Sequence, residues 1–212
     1  MEINNFMIFG DSYSTFEGYI PEGYACYYYN EPQRMTDVTD VKQTWWHKLA
    51  ESTKSNLVLN NSWSGSTIGY TGYNNTDCSE TSSFIYRLRK LKNEGFFDKN
   101  TIDTVFVFGA TNDNWCGANL GKLKFSDWEE NDFYNVLPAI CYFFKLLKEY
   151  LPNANIVCII NTELKYELTT AFFEICEHFG VKQVLLKDID KFNGHPTIKG
   201  MSQICEQILE KL

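Results

Sequence analysis

Five short, mostly apolar stretches punctuate the chain: Phe6-Met7-Ile8-Phe9, Leu57-Val58-Leu59, Thr104-Val105-Phe106-Val107-Phe108, Asn155-Ile156-Val157-Cys158-Ile159-Ile160 and Gln183-Val184-Leu185-Leu186. None alternates apolar with polar, so each reads as a strand covered on both faces. Between them, apolar residues recur at helical spacing over 43–52 (Trp46, Leu49, Ala50), 81–93 (Phe84, Ile85, Leu88, Leu91) and 136–151 (Ile140, Phe143, Phe144, Leu147). Two more helices are expected over 167–179 and 197–212. Pro138 falls in a first turn, where its missing N–H costs little, and Gly180 follows a last turn as a C′ glycine. Strands alternating with helices predict an α/β protein with a doubly wound parallel five-stranded sheet and right-handed crossovers. A flavodoxin-like order of 2-1-3-4-5 sets the first three strand ends side by side. Ligands of such sheets bind at the carboxyl ends of the strands.

The 212 residues fit one domain spanning 1–212, with no repeat and no linker. One connection, about 18–40, is long and without clear structure. It carries Pro21, Gly23, Pro32 and an aromatic cluster from Tyr24 to Tyr29, and long loops of this kind are usually functional. A formal charge of -8 with no basic stripe argues against nucleic-acid or anionic-membrane partners. The seven cysteines are scattered and form no Cys-x-x-Cys pair, which argues against a zinc site or a redox dithiol. They suit a reducing interior. Met1-Glu2-Ile3-Asn4-Asn5 has no basic n-region, and the apolar run after it is too short for a signal peptide, so the expected location is cytoplasmic unless a leader has been removed. No stretch approaches transmembrane length. Oligomeric state is not addressed by the sequence.

Polar strings follow the first three strands: Gly10-Asp11-Ser12-Tyr13-Ser14, Asn60-Asn61-Ser62-Trp63-Ser64-Gly65 and Gly109-Ala110-Thr111-Asn112-Asp113. Gly194-His195-Pro196 precedes the last helix. Ser12 would stand at the sheet edge as a nucleophile, or serve equally well as a helix cap. Gly10 lets the backbone turn, and Asp11 holds that turn through local hydrogen bonds. Ser14 reads as a cap. Gly65 permits a substrate oxygen to approach a backbone N–H, or serves only its turn. Asn112 can donate to a developing oxyanion, or cap a helix. Of three histidines, His47 lies within an amphipathic helix and His178 in a last turn before Gly180. His195, in a loop that can reach Ser12, is the candidate base.

Gly10-Asp11-Ser12 and Gly109-x-x-Asn112-Asp113, with Gly65 and His195 in order, resemble the GDSL-type esterases of the SGNH hydrolase superfamily. The resemblance runs from Gly10 to Gly200 and implies a three-layer, flavodoxin-like α/β/α sandwich. It implies ester hydrolysis through Ser12 and His195, with an oxyanion hole from the Ser12 and Gly65 N–H groups and the Asn112 amide, and it calls for no metal or cofactor. Such enzymes commonly place an aspartate three residues before the histidine; here that residue is Phe192. The imidazole must then be oriented by a backbone carbonyl near Phe192, the Asn193 amide, or Asp190 or Asp188 from upstream.

The expected function is hydrolysis of short-chain, acetyl-type carboxylic esters, with a small molecule or an oligosaccharide as the alcohol part. Tyr13, Trp63 and Trp115 are candidate substrate-binding residues; together with the Tyr24–Tyr29 cluster, Tyr70 and Tyr73 they could stack on sugar faces or simply pack the long loop. An acyltransferase on the same scaffold, and a weakly active or non-catalytic carbohydrate-binding homologue, are the alternatives.

Overall fold

A computed structural model describes residues 2–31 and 36–212; Pro32 of the long connection lies outside the described residues. In chain order the elements are β1 (Asn5–Gly10), α1 (Trp45–Thr53), β2 (Asn56–Ser62), α2 (Phe84–Asn93), α3 (Phe96–Lys99), β3 (Thr104–Phe108) and α4 (Thr111–Trp115). Then come α5 (Val136–Tyr150), β4 (Asn155–Ile160), α6 (Tyr166–Phe179), β5 (Lys182–Leu185), β6 (Lys191–Phe192), β7 (His195–Pro196) and α7 (Ile198–Leu209). Strands β1 to β5 form one parallel sheet in the order β2-β1-β3-β4-β5, as expected.

Successive side chains of each strand enter opposite cores. Met7, Phe9, Val105 and Val107 pack with α2, α5 and α6. Phe6, Ile8, Phe106 and Phe108 pack with Trp45, Trp46 and Leu49 of α1 and Met201 and Ile204 of α7. The period of two is present but hidden, because both faces demand apolar residues. Helices on each side of the sheet complete the three-layer α/β/α sandwich.

Three helices begin later than their apolar spacing suggests, and the reason is the same each time. Thr44, Ser83 and Thr197 are N-caps, whose side chains accept from the N–H groups of His47, Tyr86 and Gly200. Apolar spacing alone counts the caps, and the residues before them, as helix. The short α3 and α4 and the β6–β7 hairpin add to the elements expected from the sequence.

Register fixes the site. Gly10 pairs with Ser62 of β2 and with Phe108 of β3. Gly10, Ser62 and Phe108 therefore end their strands at one level, and Asn60 to Ser62, expected to follow the second strand, form its last three residues.

Candidate active site

Gly10 is required by crowding. A Cβ there would lie 2.4 Å from Ser62 Oγ and 2.8 Å from Ser14 Cβ, so β2 and the next turn close in only on a bare backbone. This corrects the expectation that it served a sharp turn. Asp11 then caps a single 3-10 turn, Ser12–Ser14, its carboxylate accepting the Tyr13 N–H at 3.1 Å. Asp11 is fully buried, and burial pushes its carboxyl up to about 7 against the Tyr13 N–H that favours the charged form. Ser12 opens the turn and is 3% exposed. Its own N–H donates to no acceptor among the described residues. Ser14 does not cap; its Oγ accepts from Trp45 Nε1 at 3.2 Å.

The histidine arrives on a hairpin. β6 and β7 are joined by Asn193-Gly194, both left-handed at φ 48 and 75, which suits the twist of a two-residue turn. His195 Nε2 lies 2.9 Å from Ser12 Oγ, and Nδ1 lies 3.2 Å from the Asn193 carbonyl. A carbonyl only accepts, so Nδ1 carries the hydrogen and Nε2 accepts from the Ser12 hydroxyl. Tyr27 stacks on the imidazole at 3.6 Å and 5°. Tyr13 and Trp115 stand edge-on to it, ring centres 5.3 and 5.9 Å away. The Tyr13 hydroxyl donates to the Gly194 carbonyl, and the Tyr28 hydroxyl to the Pro196 carbonyl at 2.9 Å. The aromatic cluster of the long connection thus clamps the hairpin.

Asp190 is placed elsewhere than the imidazole. Its carboxylate accepts from Thr197 Oγ1 and its carbonyl from Thr197 N–H at 3.1 Å, which ties the hairpin base to α7. Of the orienting groups the sequence left open, the backbone carbonyl is the one at Nδ1. Phe192 is the cross-strand partner of His195 and 47% exposed.

Asn112 sits in α4, 3% exposed. Its Nδ2 donates to the Ser66 carbonyl at 3.0 Å while Oδ1 accepts from the Tyr73 hydroxyl at 2.8 Å. These two bonds fix which way the amide points and leave a second amide hydrogen. Gly65 has φ +82 and open space where a Cβ would be. Its glycine answers to that left-handed backbone, not to a crowding neighbour. The Gly65 N–H, like that of Ser12, has no acceptor among the described residues.

Two buried charges shape the loop that carries Gly65. The Asp113 carboxylate accepts from the Ile68 and Gly69 N–H groups, at 3.0 and 3.2 Å, and burial pushes it up to about 6. Arg87 is wholly buried and donates to the Asn61 side chain at 2.6 Å, Ser82 carbonyl at 2.9 Å, Ser66 Oγ at 3.1 Å and Gly10 carbonyl at 3.3 Å. Burial pushes the guanidinium down to about 9, with Tyr24 and Asp11 opposing. One cation therefore ties the ends of β1 and β2 to the following loop. Sequence reasoning missed Arg87, and named Asp113 only as part of a motif, without its role. The signal for Arg87 was a charged residue on the apolar stripe of α2, three after Phe84 and four before Leu91.

The Trp63 and Tyr24 rings lie 4.2 Å apart, centre to centre and tilted by 33°, and the Trp63 backbone N–H donates to the Gly10 carbonyl at 3.1 Å. Trp115 is 39% exposed beside the imidazole. Tyr13 is buried, committed to the hairpin. Among the described residues no group of three or more His, Cys, Asp or Glu is arranged to hold a metal ion, and no helix is long and apolar enough to cross a membrane.

A crystal structure from Bacteroides ovatus described as a GDSL-like lipase superposes with a TM-score of 0.91 at 44% identity, covering 99% of this chain and 98% of that one. Another so described, from Bacteroides uniformis, gives 0.91 at 40%, covering 99% and 95%. An acetyl xylan esterase from the rumen bacterium Butyrivibrio proteoclasticus shares the fold at a TM-score of 0.63 and 15% identity, covering 99% of this chain and 63% of that one. No curated protein sequence matches the chain. The family model of the GDSL-like lipases and acylhydrolases matches residues 4–212, and the chain is a member of that family.

Proposed function

We propose that the protein is a serine ester hydrolase that removes short acyl groups, acetyl foremost, from carbohydrate through Ser12 and His195. What carries this reading is the 2.9 Å contact between Ser12 Oγ and His195 Nε2. As Oγ attacks the ester carbonyl its proton passes to Nε2, giving an imidazolium and an oxyanion. The oxyanion meets the Ser12 and Gly65 N–H groups and the second hydrogen of the Asn112 amide. The imidazolium, Nδ1–H on the Asn193 carbonyl and its ring on Tyr27, protonates the leaving alcohol. Water, activated by the same imidazole, then releases the acid and restores the hydroxyl.

The near-burial of Ser12 and the rings around His195 favour a small acyl group. Trp115 and Tyr73, 39% and 40% exposed beside His195 and Asn112, offer ring surface to a sugar. The fold shared with an acetyl xylan esterase is consistent with that class. The test is turnover of p-nitrophenyl acetate and acetylated oligosaccharides, with fluorophosphonate labelling. Wild type should turn over and be labelled at Ser12, and Ser12→Ala should do neither. Undiminished hydrolysis by Ser12→Ala overturns the assignment.

A further inference from the structure

α2 has two working faces. Phe84, Arg87, Leu88 and Leu91 point inward, whereas Tyr86, Arg89, Lys90 and Asn93 line open space. Against the segment Glu130–Tyr134 that space is a cavity of about 660 Å³. A second cavity, of about 340 Å³, is bordered by Tyr24 and Trp63 and shares Glu80, Tyr86 and Lys90 with the first. The two form one groove along α2. Its near end is the Tyr24–Trp63 pair, ring centres 4.2 Å apart and planes tilted by 33°. Trp63 stands two residues before Gly65, and its N–H is bonded to the Gly10 carbonyl at the foot of the Ser12 turn. The near end of the groove therefore lies beside the loops by which β1 and β2 leave the sheet toward the candidate active site.

Its chemistry narrows the occupant. Arg89 is spoken for: Nη2 meets Glu130 Oε1 at 2.7 Å, Nη1 meets the Tyr70 hydroxyl at 2.9 Å, and the guanidinium lies 5.1 Å from the centre of the Tyr142 ring. Lys90 faces Glu94 at 3.9 Å. With each cation matched by a carboxylate, and Glu80 in addition, nothing favours a phosphate or other anion. A long acyl chain would strip water from these groups and return nothing. Hydroxyl groups both donate and accept, so they fit such a lining. Rings at Tyr24, Trp63, Tyr86 and Tyr134 supply flat apolar surface between the polar groups, which is what the C–H face of a pyranose needs.

We propose that this groove binds an uncharged oligosaccharide and presents its esterified residue to Ser12. The proposal deepens the ester-hydrolase reading and rests on it for the link to Ser12, though not for binding itself. The experiment has two arms. Calorimetric titration of the Ser12→Ala protein with xylohexaose, cellohexaose, mannohexaose and chitohexaose reads the groove without turnover. At least one should bind with Kd below about 5 mM. Tyr86→Ala, made in that background, should weaken the binding at least about tenfold, the worth of one ring contact, while Tyr86→Phe retains most of it. In the second arm, on the Ser12 enzyme, Tyr86→Ala should raise KM for the acetylated form of the bound hexasaccharide by a similar factor and leave p-nitrophenyl acetate unchanged. Asn93→Ala, at the far end, should repeat the pattern more weakly and guards against misfolding of the first variant. Binding of none of the four sugars, or binding and KM untouched in both variants, overturns the groove. Absence of turnover on every ester with sugar binding intact would instead sink the hydrolase reading.

Discussion

Tyr27 lies flat on His195, ring centres 3.6 Å apart and planes within 5°. The ring that faces the imidazole comes from the long connection after β1, not from the hairpin that carries the histidine. An imidazolium formed during acyl transfer would sit over an aromatic face, which favours the cation by about 0.5–1 kcal/mol. Tyr27→Leu should therefore move the acid limb of the kcat/KM profile to lower pH by about half a unit and lower the plateau. Tyr27→Phe should keep both. A limb that stays put in the leucine variant, measured from pH 4 to 9, removes Tyr27 from this role.

The placement of Asp190 on Thr197 makes its contribution separable from that of the histidine. Asp190→Asn should change kcat by only a few fold and instead lower Tm, since it loosens the junction between the hairpin and α7. His195→Ala should cost about a thousandfold or more in kcat. Steady-state kinetics with p-nitrophenyl acetate decides between them. If Asp190→Asn falls as far as His195→Ala, the carboxylate supports the base after all.

Asn112 is held by Tyr73. Replacing Asn112 with Ala should lower kcat by about a hundredfold with little change in KM, the signature of a donor used only at the transition state. Tyr73→Phe leaves the amide in place but held by the Ser66 carbonyl alone, and should cost about tenfold. Equal KM and kcat losses in either variant would point to substrate binding instead.

Asp11 gives a pH signature. Its folded carboxyl keeps a proton up to about 7, against an ordinary value of 3.8. The folded chain binds more protons across that window, so stability falls as pH rises through it. Asp11→Asn cannot ionise and still accepts the Tyr13 N–H. Its stability relative to wild type should climb between about pH 4 and 7, by up to about 1.4 kcal/mol per unit. Urea melts at intervals of one pH unit check this; parallel curves for the two proteins contradict it.

Arg87 predicts the opposite kind of loss. Arg87→Met strands the Asn61 side chain and Ser66 Oγ in a buried space and takes one of its two donors from the Gly10 carbonyl. The expected cost is about 3 kcal/mol or more in urea unfolding at pH 7. A change of under about 1 kcal/mol would mean that water replaces the guanidinium.

The sheet order, both helical layers and the strand tips were legible because unbroken apolar stretches such as Val105–Phe108, set between amphipathic helices, fit a doubly covered strand and little else. Ser12, Asn112 and His195 were legible as candidates for a related reason: polar strings at strand ends must do something other than pack. The orienting group for His195 was not. Backbone carbonyls leave no trace in side-chain chemistry, although Asn193-Gly194 flanked by paired residues was a readable two-residue hairpin. Gly10 and Gly65 were both legible as glycines with a purpose, but the purpose depends on neighbours about 50 residues away or on φ, neither of which composition reveals. Arg87 was hidden by averaging, since one cation hardly changes the apolar moment of α2.

Ser12 and His195 are separated by 183 positions, one just past the first strand and the other just before the last helix. No fragment lacking either end contains the pair, and the parallel strands between them are joined only through crossovers, the slow route to a native topology. Recovery of ester turnover during refolding should consequently lag behind recovery of helical circular dichroism, so that the enzyme keeps time for its own final assembly step.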